Sequence, residues 1–335
     1  MSAANRIACG IATVYRGGSL VTAIYMLCCF CAANAHAQTY PARPIRLIVG
    51  SSAGGGGDGV ARVMAAKLTP LLGQQIVIDN RPGAAGNIGT EMVARAPADG
   101  HTLLFAYTGH VINPALFKKL PFDVLRDFSA VGMIGYNNSA LVVNPALPVH
   151  SVKELIALAR ARPGKLTAGA IPGGSQHLAT EMLKIQAGVD FLFVPYKGNG
   201  PANSDLLAGQ LDFMFNSLQL VAPLAKAGRL RALAVTSEKR SELMPELPTI
   251  SEAAIKGFSA QGWYGIVAPA GTPRSVIVKL NEALNAVLRD ADTLQRFKAM
   301  GNEIASSTPE QFDALIRADI PKWAEVARRA GIKPE

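Results

Sequence analysis

From Ile45 onward the chain alternates short apolar runs with segments of helical periodicity, and this alternation constrains the fold more than any other feature. Residues 45–49 are an apolar run ending at Gly50, as a buried strand requires. Val60, Val63, Met64, Leu68, Leu71 and Leu72 then repeat at helical spacing, and Gly73 stops that helix. Residues 76–78 read as a second strand, 80–86 as a Pro/Gly loop and 87–96 as a second helix; Asp99-Gly100 turns the chain into a strand at 103–107. Further strands are predicted at 140–143, 167–170, 191–194, 211–215, 232–235 and 263–267, with helical stretches between them. Ser151 and Glu154 have capping-box spacing at the start of a helix over 152–162. Another helix is predicted near 177–187, and after Pro273 the chain is mostly helical.

Strands alternating with helices make parallel sheets covered on both faces. There are too many strands for one small sheet, so two α/β domains are expected. The chain crosses between them near 140–144 and returns near 257–263. The first domain then comprises 38–141 plus 263–335, and the second 142–262.

The first 37 residues read as a signal peptide. Arg6 and Arg16 precede an apolar run over 20–33, no acidic residue occurs before Asp58, and Ala35-His36-Ala37 is a small-x-small cleavage pattern. The run is short for a transmembrane helix, which needs about 20 apolar residues. Cys28, Cys29 and Cys31 do not follow the Leu-small-small triplet of a lipoprotein. Cleavage is expected between Ala37 and Gln38. All four cysteines, Cys9, Cys28, Cys29 and Cys31, fall inside this leader. The mature chain would therefore lack thiol catalysis, thiolate zinc sites and disulfides, and would suit the oxidising periplasm. Without Arg6 and Arg16 the 33 Lys and Arg fall to 31, against 24 Asp and Glu. These charges are dispersed, with no basic run interleaved with aromatics, which argues against nucleic-acid binding.

In open α/β sheets, ligands sit beyond the carboxyl ends of the strands. Those positions hold 51–59, 108–113, 171–177 and 216–219, all rich in glycine and small or uncharged polar residues. Such loops let backbone N–H groups approach a ligand closely, and the helix N-termini behind them favour a negative group. The stretches AGGGGDG and IPGGSQH would face each other across an interdomain cleft that holds a small anion by neutral dipoles. A rival reading takes Gly54 to Gly59 as a G-x-G-x-x-G dinucleotide motif, with Asp79 as the ribose-binding acid. Four consecutive glycines match such patterns by accident, Asp58 would repel a pyrophosphate, and an exported chain lies away from the nicotinamide pool. The alternatives to a receptor are therefore an exported enzyme or an NAD-binding Rossmann protein using the AGGGGDG loop. His101, His110, His150 and His177 have no metal-ligand spacing. Gly173-Gly174-Ser175-Gln176-His177 falls one residue short of a G-x-S-x-G elbow. Ser175 and His177, two apart, do not face each other on a helix. A non-enzymatic binding protein without metal or cofactor is expected.

The stretches YPARPIRLIVG, AGGGGD, NRPGAAGNIG, ADGHTLL, INPALFKKLPFD, SVKELIALARARPGKL, VPYKGNGPA, DLLAGQLDFMF, AGRLRALAVTSEKRS, PTISEA and GIVAPAGTP occur in this order along nearly the whole chain. Together they resemble the tripartite tricarboxylate transporter substrate-receptor family, the Bug (Bordetella uptake) family of periplasmic solute-binding proteins. The resemblance implies two doubly wound α/β domains joined by two crossover strands, of the periplasmic binding protein type II kind, closing like a Venus flytrap. It implies a small carboxylic acid or carboxylated aromatic ligand, held by backbone amides and bridging waters. It also implies a monomer whose partner is an inner-membrane permease or a sensor kinase. The family's ligand positions fall on Ala53, Gly54, Asp58, Thr108 and His110 in the first domain. In the second they fall on Gly173, Ser175, His177, Asn216 and Ser217.

Structural readings stand beside these: Asp58 as a helix N-cap, Thr108 and Ser175 as turn residues, His177 as a buried hydrogen-bonded side chain, Trp263 and Tyr264 as core, and Arg81 as part of a turn. The chain departs from the family at Ser51-Ser52 and Gly57, and at Asn216-Ser217, where Asp-Asn is common. An acidic residue there would suit an amino group, so Asn216 points to a carboxylic acid without an ammonium.

Overall fold

The computed structural model describes residues 40–54, 56–172, 174–196 and 199–334. The predicted leader, its cut site at Ala37 and Gly173 lie outside the described residues.

The elements run β1 (Ile45–Val49), α1 (Gly56–Leu72), β2 (Ile76–Asn80), a 3₁₀ turn (Ala84–Gly86), α2 (Asn87–Ala94), β3 (Thr102–Tyr107), α3 (Gly109–Leu116) and β4 (Phe128–Asn137). They continue β5 (Ser139–Val143), α4 (Val152–Ala161), β6 (Thr167–Ala170), α5 (Ser175–Ala187), β7 (Leu192–Pro195), α6 (Asn199–Leu207), β8 (Phe213–Ser217), α7 (Leu218–Lys226), β9 (Arg231–Val235) and α8 (Ile250–Ala253). The last are β10 (Gly262–Pro269), α9 (Arg274–Leu288), α10 (Ala291–Ala299), β11 (Asn302–Ile304) and α11 (Pro309–Arg329).

Two sheets result, ordered β11-β4-β10-β3-β1-β2 and β7-β6-β8-β5-β9. Each has a parallel core, β2-β1-β3 in the first and β7-β6-β8 in the second. In each, the next strand is antiparallel and comes from chain that has just left the other sheet: β10 in the first, β5 in the second. The chain passes from the first sheet to the second through Asn138 alone, and returns over 236–261 into β10. This is the two-lobed, doubly wound α/β architecture expected from the alternation. The last helix, α11, packs on α3 and β4 of the first lobe and also reaches α5 of the second.

Local chemistry explains most boundaries. Gly73 ends α1 at φ 71, the left-handed conformation that glycine adopts without penalty. The Ser151 hydroxyl accepts from the Glu154 N–H at 3.2 Å, but the Glu154 carboxylate reaches one residue further back, to the His150 N–H at 2.7 Å. Complete capping boxes form instead at Thr249 with Glu252 and at Thr308 with Gln311, where Pro309 takes the first helical position. Three elements differ from the sequence reading: α3 (109–116) begins within the stretch 108–113 read as a loop, 128–137, which lacked a strand signal, form β4, and 302–304, in the stretch read as mostly helical, form β11.

Candidate functional site

A cleft of about 370 Å³ opens between the lobes, beyond the ends of β1, β3 and β6. Its first wall comes from the loop after β1 (Ser51), the start of α1 (Gly57), the 3₁₀ turn (Ala85), the end of β3 (Tyr107), α3 and its cap (Thr108, Gly109, Asn113) and the paired strands β4 and β10 (Asn137, Trp263, Tyr264). Its second wall is one short segment, Ile171, Pro172, Gly174, Ser175 and Gln176.

The first wall is tied together by its own side chains. The Tyr107 hydroxyl and the Asn113 amide both donate to the Ala85 carbonyl, each at 3.1 Å. Asn113 also donates to the Asn87 side chain at 2.6 Å. These bonds hold a turn in which Ala84 and Ala85 sit at φ 46 and 55, a conformation that costs non-glycine residues energy and persists only where the surroundings enforce it. Gly86 and Gly109 flank Tyr107 so closely that a Cβ on either would overlap its ring or hydroxyl. Burial pushes the Tyr107 phenol up to about 12, so it stays a neutral donor.

Two further hydroxyls are oriented by what they accept. Thr108 Oγ1 accepts from the Trp263 N–H at 2.7 Å, and Tyr264 Oη accepts from the Asn137 amide at 3.1 Å. With an acceptor site occupied, each retains its own O–H as a donor. Burial also raises the Tyr264 phenol, against the lowering effect of Asn137.

Besides α1, whose Gly57 lines the first wall, two helices begin at the cleft. Thr108 caps α3 without a side-chain bond to it, and Gly174, which has no side chain, caps α5. The first N–H groups of a helix have no intrahelical acceptor and carry the positive end of its dipole. The first wall thus offers the α3 terminus and the second wall the α5 terminus. Among the described lining residues none carries a charged side chain. Among the described residues no cluster of three His, Cys, Asp or Glu side chains could hold a metal.

Of the residues singled out in sequence, Thr108 and Ser175 lie on the cleft walls. Ala53 and Gly54 are exposed on the loop after β1. Asp58 turns inward, accepting from the Gly54 N–H at 2.9 Å, Arg62 at 2.9 Å and the Asn80 amide at 2.9 Å. Burial raises this carboxyl, but those hydrogen bonds outweigh burial and hold it below the ordinary value. Asp58 and Asn80, which also donates to the Ser51 carbonyl, therefore fix the glycine loop from behind. His110 is buried beside Phe122 and Phe128, with ring centroids 6.5 and 4.9 Å away. Neither His110 nitrogen has a partner among the described residues, and burial holds it neutral, down to about 4. His177 stacks on Phe193 at 4.0 Å and is likewise pushed down to about 4 by burial. Asn216 donates to Asn203 at 2.5 Å and accepts from the Ser217 N–H at 2.8 Å, next to the start of α7.

Asp79, the acid of the dinucleotide reading, pairs with Arg46 and with Arg81 at 2.9 Å. Trp263 is anchored by its indole N–H on Asp319 at 2.8 Å. Sequence reasoning places Asn113 and Gln176 inside the site loops 108–113 and 171–177 without singling them out, reads Tyr264 as core, and misses Tyr107 and Asn137. Tyr107 adjoins Thr108. Asn137 ends the strand that sequence reasoning did not detect.

The fold and this cleft define a two-lobed solute-binding protein. Over residues 60–332 the chain matches the family described as the tripartite tricarboxylate transporter family receptor, and it belongs to that family. BugT of Bordetella pertussis is 39% identical over 316 residues, covering 93% of this chain and 97% of BugT. The solved structure of R. palustris Rpa4515 with adipate is 36% identical, with TM-score 0.79 over 88% of this chain and 100% of that one. MatC from Rhodopseudomonas palustris with bound malate is 30% identical, with TM-score 0.73 over 86% of this chain and 99% of that one. Among the described residues, no helix is long and apolar enough to cross a membrane.

Proposed function

We propose that the protein is a periplasmic receptor that captures a small dicarboxylate lacking an ammonium group and delivers it to the permease of a tripartite transporter. The observation that carries this is the cleft lining, which combines the N-termini of α3 and α5 and the hydroxyls of Thr108 and Tyr264 with no charged side chain among the described residues. Such a surface welcomes carboxylates by dipoles and leaves an ammonium without a counter-ion. The adipate in Rpa4515 and the malate in MatC support the class. The support for an amine-free ligand comes from these walls rather than from Asn216, whose side chain is spent on Asn203 and Ser217.

In this reading the sheet of β1 to β4, β10 and β11 moves with its helices as one rigid body and the sheet of β5 to β9 with its helices as the other, so the lobes part at Ser139 and Gly262, within three residues of the bounds 141/142 and 262/263. Thr108 and Ser175 act with Tyr107, Asn113, Asn137, Gln176 and Tyr264, and the lobes close on the ligand. The closed monomer then docks on the permease. It binds without turnover, so ligand is recovered unchanged after incubation. The leader is removed, giving an exported chain that starts at Gln38.

Thermal-shift measurements with adipate, malate, benzoate, aspartate and glutamate test the ligand class. A dicarboxylate at 100 times its dissociation constant should add about 2.7 kcal/mol of stability. Stabilisation by aspartate or glutamate, with none from adipate, malate or benzoate, would overturn the reading.

A further inference from the structure

Side chains alternate faces along a strand, and this divides the junction between the lobes. Asn137 and Tyr264 face the cleft. Asn138, which follows Asn137, and Gln261, three residues before Tyr264, lie in the two segments that pass between the sheets, and neither lines the cleft. Beside them lies a second cavity of about 420 Å³, which includes Tyr136, Gln261 and Glu303 in its wall. Glu303 sits on β11, opposite Tyr136 of β4. Its carboxylate accepts from the Asn138 amide at 2.6 Å and is hydrogen-bonded with Gln261. Gln261 also donates to Asn138 Oδ1 at 2.6 Å. One carboxylate therefore joins both passages between the lobes in a closed three-residue network.

We propose that Glu303 is the positioning residue of the hinge, setting the balance between open and closed lobes and so tuning ligand affinity from the face away from the ligand. A carboxylate held by two neutral amides depends on their directions, because hydrogen bonds weaken steeply off-axis. Hinge motion that parts Asn138 from Gln261 costs Glu303 its donors. The coupling to the cleft is short. Asn137 adjoins Asn138, and the Asn137–Tyr264 bond joins the same two segments on the ligand side. Burial raises the Glu303 carboxyl and outweighs the lowering effect of the Asn138 and Gln261 amides. Apparent affinity equals intrinsic affinity scaled by the fraction of binding-competent protein, so shifting the hinge balance shifts the dissociation constant.

The affinity part of this proposal rests on the cleft being the ligand site; the hinge part does not. Because all four cysteines lie in the predicted leader, the chain from Gln38 can be spin-labelled selectively after Leu71→Cys and Leu192→Cys, at positions 54% exposed, one on each lobe. Pulsed electron resonance then gives the interlobe distance distribution. Glu303→Gln sets an amide against two amide donors and should shift or widen the ligand-free distribution. It should also change the dissociation constant for adipate or malate at least fivefold, while leaving the ligand-saturated distance unaltered. Glu303→Gln with Gln261→Glu restores a donor–acceptor set once the Asn138 amide turns over, and should recover the original distribution. Should Glu303→Gln not fold, Gln261→Met removes one donor, keeps the carboxylate, and carries the same expectation. An unchanged ligand-free distribution in a folded variant would overturn the proposal. Failure of wild-type protein to bind either dicarboxylate would overturn the functional reading, while the ligand-free distances still decide the hinge.

Discussion

The two walls of the cleft are built differently. The first-lobe wall is a cross-braced surface: Tyr107 and Asn113 grip Ala85, Thr108 grips the Trp263 backbone, and Asn137 grips Tyr264. Among the described residues, the second-lobe wall is a short turn held by the Gly174 N–H on the Ile171 carbonyl at 3.0 Å, with side-chain bonds from Ser175 to Gln176 at 3.3 Å and from Thr180 to the Gln176 carbonyl at 3.0 Å. A cross-braced wall needs no rearrangement on binding, which lowers the ordering cost of association. A lightly held turn on the opposite lobe is suited to adjust as the lobes close. The difference teaches that fold stability and ligand affinity should separate across the cleft: changes in the first wall damage both, and changes in the second damage affinity alone.

The largest effect should come from Gly86→Ala. Gly86 sits at φ 90, and a Cβ there would overlap the Tyr107 hydroxyl. Strain at such a φ and forced overpacking each cost about 1–3 kcal/mol, so a loss of about 4 kcal/mol is expected in urea unfolding. Tyr107→Phe in the same chain removes the overlapping oxygen and should return part of that loss. A Gly86→Ala protein as stable as wild type would show that the first wall is not braced as described.

His110 supplies the next effect, through pH. Its ring is held down to about 4 by burial behind the first wall, against about 6.5 in an unfolded chain. Below pH 6.5 the unfolded state binds a proton that the folded state refuses, so stability falls as pH drops toward 4. The single-site loss approaches about 3 kcal/mol there. His110→Phe should remove its share of that slope from the pH dependence of unfolding and leave the like share of His177, which burial also holds down to about 4. Ligand affinity should show no step near pH 6.5 from this residue, although it lies on the helix that begins at the cleft.

The same two walls explain what could be read from sequence. Apolar periodicity and glycine stops located β1, α1, β3 and β6, because buried strands and amphipathic helices write their burial directly into residue type. Periodicity was silent on β4, whose Gly132 and Gly135 are required by close neighbours: a Cβ on Gly132 would press on Asn281 and Leu284, and one on Gly135 on the Glu303 backbone. Glycines chosen for such approach erase the strand signal, and Asn137 was lost with it. Residues 108–113 read as loop because Gly109, Asn113 and Pro114 are poor helix formers, yet packing of α11 on α3 supports the helix. The site loops were legible as loops. Which way Asp58, His110 and Asn216 point was not, because orientation depends on partners far along the chain, such as Asn80 for Asp58 and Phe128 for His110.

Thr108 tests the brace more gently. Thr108→Val keeps the shape but leaves the buried Trp263 N–H without its acceptor. An unsatisfied buried donor costs about 1–3 kcal/mol, so a loss of about 2 kcal/mol in unfolding is expected, accompanied by weaker binding of the dicarboxylate. Loss of affinity with unchanged stability would move Thr108 out of the brace.

The smallest stability effect belongs to the second wall, and there the comparison is most exposed to failure. Ser175 and Gln176 open α5 and bond chiefly to each other. Ser175→Ala and Gln176→Ala remove no buried partner from the fold, so each should change unfolding stability by no more than about 0.5 kcal/mol. Each nevertheless removes a polar group that the closing lobe brings to the ligand. A lost hydrogen bond to a carboxylate should raise the dissociation constant about tenfold, or about 1.4 kcal/mol. Calorimetric titration with adipate or malate, paired with urea unfolding of the same samples, reads both quantities. If either substitution destabilises the fold as much as Thr108→Val does, the second wall is braced too, and the two lobes share the preformed site equally.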